Sequence, residues 1–164
     1  DDGSTSEFSA CRQVNTLPTI TAQATSRQQG SAVSNPQIAS VTDPDQALNT
    51  LAVTINGGAS ATVNNVTVSN IAVDASGNVT ADVAANCLAS DASFTLRVTD
   101  NATDFDETTL NVTVTPNTPP TLSTYPNANA APGGSTTVTP DAAPADNGSF
   151  SSATASAPGF GGTL

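Results

Sequence analysis

The side chains able to do chemistry in this chain are nearly all carboxylates, and they gather in two short runs. Asp43 and Asp45 stand in TDPDQ, and Asp100, Asp104, Asp106 and Glu107 stand in TDNATDFDE. Closely spaced hard oxygen donors are the ligand type that calcium takes. Neither run reproduces an EF-hand loop, so acids of solvated turns are the preferred reading and calcium ligation is the alternative. Cys11 and Cys87 are the only cysteines, and two thiols cannot build a four-ligand zinc site. In a chain of secreted character they read as one disulfide. It lies either within one subunit, the preferred arrangement, or between two.

What is missing narrows the chemistry further. There is no histidine, so neither a Ser-His-Asp nor a Cys-His arrangement is available. The three basic residues are Arg12, Arg27 and Arg97, so lysine chemistry is absent as well, including Schiff bases and Lys-Asn isopeptide crosslinks. A glycosidase-like carboxylate pair needs a cleft rimmed by aromatic rings, and the chain has no Trp and one Tyr. The expectation is a protein that is not an enzyme. Fourteen acidic residues against three basic ones exclude a phosphate-binding patch and hence nucleic acid as a partner. The excess reads as a device that keeps an extended particle soluble.

Asparagine supplies a second kind of candidate site. Asn-x-Ser/Thr occurs at Asn65, Asn78, Asn101, Asn111 and Asn147. Asn111 lies between inward Leu110 and Val112 and so faces solvent, while the other four fall at expected turns. All five are expected to be accessible to covalent glycans.

These residues need a frame, and the composition selects an all-β one. The palette is Ala, Val, Asn, Ser and Thr, with 37% apolar residues and a single Tyr and five Phe as aromatic mass. Small and β-branched side chains favour strands and give a thin core. Alternating runs appear at 17–24, 36–43, 50–56, 66–74, 78–84, 93–100 and 108–116, with Gly, Asn and Asp turns between them. The inward set is Leu51, Val53, Ile55, Val66, Val68, Ile71, Val73, Val79, Ala81, Val83, Phe94, Leu96, Val98, Leu110, Val112 and Val114. Within 66–74 the apolar phase changes, which a bulge near Ser69-Asn70 would explain. A hairpin signal follows Asn56 at Gly57-Gly58.

Around this frame the chain divides into four parts. Residues 1–16 are polar and aperiodic, an arm whose anchors are Phe8 and Val14 and which is a candidate donor strand. Residues 17–116 form an immunoglobulin-like antiparallel β-sandwich. Residues 117–122 are a Pro-rich linker, and 123–164 open a second, incomplete sandwich module with strands at 133–140 and 148–156. No apolar run reaches the ~18 residues of a membrane helix. The leading Asp implies that a signal peptide was removed or that the chain was cut from something larger.

The segments VTDPDQALNTLAVTING and RVTDNATDFDETTLNVTV, with the closing PNTPPTL, resemble the repeat unit of tandem immunoglobulin-like and cadherin-like modules in large bacterial surface proteins. The resemblance covers residues 17–122. It implies an extracellular location and raises the calcium alternative, because comparable acidic loops hold calcium between cadherin-like modules; the full cadherin ligand set is not reproduced. Two functions follow. In the first the chain is a structural subunit of an extracellular filament or pilus-like fibre, assembled head to tail with copies of itself by strand complementation and carrying glycans. In the second it is an excerpt of a long multidomain adhesin or stalk.

Overall fold

The runs of Val, Ile and Thr become strands because every second side chain can be buried while its neighbours stay in water. The computed structural model describes residues 14–148. It contains no α-helix, and its one helical turn is a 3-10 turn at Leu48–Thr50. The strands are β1 (Thr19–Ala22), β2 (Thr25–Gln28), β3 (Gln37–Thr42), β4 (Ala52–Ile55), β5 (Ala61–Val63), β6 (Val66–Val73), β7 (Asn78–Ala85), β8 (Ala92–Thr99) and β9 (Phe105–Thr115). They form two sheets, ordered β1-β3-β7-β6-β5 and β2-β9-β8-β4. Neighbours are antiparallel except β2, which runs parallel to β9. The architecture is an all-β sandwich.

The core lies between the sheets. Phe94, Leu96, Val98, Leu110, Val112, Val114, Val66, Val68, Val79, Ala81, Val83, Leu51 and Ile55 are buried, as alternation predicts. Val53, Ile71 and Val73 are half-buried against the same cluster. Ile20, Ile38, Val41 and the small residues Ala39, Ala85, Ala89 and Ala92 complete it. Each large apolar side chain sealed here contributes about 1.5–3 kcal/mol against exposure. The bulge in β6 is present: pairing with β7 shifts between Ser69 and Ala72, and Asn70 takes a φ of 52°.

Three features depart from expectation. The run 17–24 is not one strand. It ends at Ala22, and the chain then crosses to the other sheet as β2, whose polar TSRQ sequence shows no alternation to read. β5 was also illegible, being three residues long; it is tied to β6 through Asn64 and Asn65, whose φ values of 47° and 62° make a two-residue turn between Val63 and Val66. The strand expected at 133–140 does not form. Within 117–148 only an isolated bridge, Thr121 to Ala145, pairs backbone to backbone in both directions, and no described residue after Val114 is buried. β-branched residues make a strand only when a neighbouring strand and a face to pack on are present, and GGSTTVTP has neither. The strand expected at 148–156 lies almost entirely outside the described residues.

β1 and β2 together run the length of β9. The Ile20 amide donates to Asp106 Oδ2 at 3.0 Å, and the Gln29 amide donates to the Thr115 carbonyl at 3.0 Å. An uninterrupted strand between those points spans roughly 30 Å. The chain therefore enters the sandwich at one end and leaves it, past Thr115, at the other.

Candidate functional site

The two acidic runs meet at the entry end. Asp43 and Asp45 follow β3, and Asp100 and Asp104 lie in the turn between β8 and β9. Asn15 joins the turn to the incoming chain, its side-chain amide donating to Asp100 Oδ2 at 2.7 Å and Asp104 Oδ2 at 2.9 Å. Gln46 links the two loops by accepting from the Asn101 amide at 3.0 Å. Neither Asn15 nor Gln46 is distinguishable in the sequence from any other polar loop residue, and both were missed there.

Most of the carboxylate oxygens are already used. Asp100 Oδ1 accepts from the amides of Ala102 and Asp104, Asp106 accepts from Ile20 and Glu107, and Asp43 Oδ1 accepts from Asp45 and Gln46. Asp45 Oδ2 takes the Thr16 amide at 3.0 Å. Two buried oxygens of the cluster, Asp43 Oδ2 and Asp45 Oδ1, have no hydrogen-bond donor among the described residues. Burial, then the neighbouring Asp45 carboxyl, pushes the Asp43 carboxyl above the ordinary carboxylate range. The Asp45 carboxyl is held below it, first by the Asp43 side chain and next by the Thr16 amide. Glu107 stands apart from this cluster, paired with Arg97 at 2.7 Å on the exposed face of β8 and β9, where the guanidinium also covers the Phe105 ring at 4.0 Å.

Calcium takes six to eight oxygens. Among the described residues no group of three or more His, Cys, Asp or Glu is placed to hold a metal.

The exit end carries different chemistry. Cys87 lies in the turn between β7 and β8, is exposed, and forms no disulfide with any described residue. Its partner in the expected disulfide, Cys11, lies outside the described residues, as does Phe8, one anchor of the arm. The other anchor, Val14, is 83% exposed. Beside Cys87 a groove of about 600 Å³ is lined by Gln28, Gly30, Ser31, Asn117 and Asn147. Arg27 is bonded to two residues of its lining, donating to Ser31 Oγ at 2.9 Å and to the Ala32 carbonyl, and also to Ser34 Oγ; it meets no carboxylate among the described residues.

The sequons are spread over the surface. Asn65, Asn101, Asn111 and Asn147 are exposed. Asn78 is half-buried at the start of β7, with its amide nitrogen on Asp74 Oδ2 at 2.7 Å and its oxygen accepting from Gln37 at 3.1 Å, so it is less accessible than a turn position would be. Asn111 accepts from Ser93 Oγ at 2.7 Å, and Asn147 donates to the Pro116 carbonyl at 2.9 Å.

Set against protein-family models, curated proteins and solved structures, the chain matches none.

Proposed function

We propose that the chain is a structural subunit of an extracellular filament, strung head to tail with further copies of itself. The observation that carries this reading is the position of the two chain ends of the sandwich, with Asn15 held at the Asp100–Asp104 turn and Thr115 at the far end of β9. Units entered at one end and left at the other add in line, and a heterologous contact that does not close gives an open fibre. The segment 117–148 supports the same reading: it has no buried residue and so no core to stabilise it alone. The arm of a neighbouring copy is the element that completes it.

The strand order also supports an immunoglobulin-like reading. One sheet holds the first, second, fifth and fourth principal strands as β1, β3, β7 and β6, and the other holds β4, β8 and β9. Glycans on the four exposed sequons fit such a fibre by masking a thin sandwich from proteases; an intact mass equal to the 16.2 kDa of the bare chain removes them.

The test is electron microscopy of the purified chain. Filaments with one subunit per axial repeat are expected, and they are expected to be lost when residues 1–13 are deleted. Filaments that persist without those residues remove the arm as donor, and a chain that stays monomeric at every concentration overturns the fibre.

A second reading has its own support in the unpartnered oxygens of Asp43 and Asp45. In a long adhesin or stalk of tandem modules, these would be this chain's share of a calcium site finished by oxygens of the preceding module. A rise in the unfolding midpoint on adding calcium, seen only when the preceding module is present, supports it; an unchanged midpoint in a two-module protein removes it.

A further inference from the structure

We propose that Cys87 of one copy and Cys11 of the next are joined by a disulfide, with the arm of the second copy lying in the groove at the exit end of the first. The proposal rests on the fibre reading and makes its joint covalent.

Reach excludes the arrangement within one subunit. Asn15 is fixed at the entry end by Asp100 and Asp104. Cys87 is at the exit end, its Sγ 3.2 Å from the point where a Cβ on Gly30 would stand, and Gly30 follows the Gln29 amide that is bonded to Thr115. Those ends are separated by roughly 30 Å of β9. Cys11 precedes Asn15 by about four residues, a reach of about 14 Å at full extension. A disulfide adds at most about 7 Å between Cα atoms. The intrachain pairing expected from the sequence therefore falls short by close to 10 Å.

The exit end is suited to receive the arm. Leu88, next to Cys87, is 80% exposed and leaves an apolar surface beside the thiol for an incoming chain to cover. The arm also carries Asp1, Asp2 and Glu7 against a single Arg12, and Arg27, bonded to Ser31 and Ala32 of the groove, is a half-buried cation that meets no carboxylate among the described residues. Opposite charge steers such an encounter and fixes its register. The bond forms by thiol–disulfide exchange with a small-molecule disulfide. Two protein thiols become one S–S bond, and the oxidant takes their two electrons and two protons to leave as two thiols.

The test is a mixing experiment with the full chain under a small-molecule disulfide. The native chain gives a ladder of covalent oligomers that a reductant collapses to monomer. Cys11→Ser and Cys87→Ser each give no ladder, whereas mixing the two variants gives a covalent dimer and nothing larger, with Cys11 and Cys87 peptides linked in its digest. A monomer two mass units lighter than the reduced chain, meaning an internal disulfide, overturns the proposal. So do filaments whose two thiols stay open to alkylation, an outcome that leaves the fibre reading intact. Absence of both filaments and ladder removes both.

Discussion

Gly77 lies directly against the backbone of Val41. Its carbonyl accepts from the Val41 amide at 2.8 Å, and a Cβ built on it would stand 2.3 Å from the Val41 carbonyl oxygen. Its φ is 81°, in the region side chains avoid. The Asp74–Asn78 turn can therefore pass this close to β3 only with glycine. Gly77→Ala is expected to cost about 2 kcal/mol or more, from strain and clash together. Urea unfolding checks it, and a loss under about 0.5 kcal/mol would show that the turn relaxes freely.

The Asp43–Asp45 pair makes stability depend on pH in two separable windows. Asp43 is raised in the folded chain, so its contribution is fully present below its unfolded value of about 3.9 and is lost as pH rises through the folded value. Asp45 is lowered, so its contribution is present above that value and lost as pH falls through its folded one. Asp43→Asn keeps the oxygen that accepts from the Asp45 and Gln46 amides and supplies an N–H toward Asp45 Oδ1. The variant is expected to be at least as stable as the native chain at pH 7, with a flatter dependence just above pH 4. Thermal midpoints measured across pH decide it; a variant less stable at pH 7 would mean that the Asp43 charge has a partner.

Asn15 fixes the direction in which the chain meets the sandwich. With alanine there, Asp100 and Asp104 lose their shared donor and face each other uncompensated. The expected loss is about 1 kcal/mol in global stability, because the donor is exposed, with a larger local effect. Amide exchange should speed up in residues 16–20 while Val98 and Val112 stay protected. Uniform acceleration would instead tie Asn15 to the whole fold.

What the sequence allowed to be read follows burial. Where one face is sealed, as in β8 with Phe94, Leu96 and Val98, the alternation is strict and the strand is plain. In β2 only Thr25 turns inward, and Arg27 and Gln28 are half-buried, so the pattern carries nothing; the strand exists because β9 offers it a free edge. The acidic site was half legible in the same sense. Asp43, Asp45, Asp100 and Asp104 stood out as types, but their meeting depends on Asn15 and Gln46, which bridge 85 and 55 residues to Asp100 and Asn101. Asp106 and Glu107 are adjacent, yet strand geometry turns them to opposite faces, which takes Glu107 out of the cluster.

The bulge in β6 tests strain against hydrogen bonding at one residue. Asn70 holds its φ of 52° while its amide nitrogen donates to Asp82 Oδ2 at 2.7 Å, and Asn35 donates to the other oxygen at 2.7 Å. Asn70→Gly removes the bond but accepts the backbone; Asn70→Ala removes the bond and meets the left-handed penalty as well. Alanine should therefore be the worse by about 1 kcal/mol. Asp82 is held below the ordinary carboxylate range, first by Asn70 and then by Asn35. Its contribution is present above its unfolded value and lost as pH falls through the lowered one, so both variants should lose less stability than the native chain on acidification below about pH 4. Equal losses for glycine and alanine would show that Asn70 is kept for its bond to Asp82 alone, and that the bulge itself carries no strain.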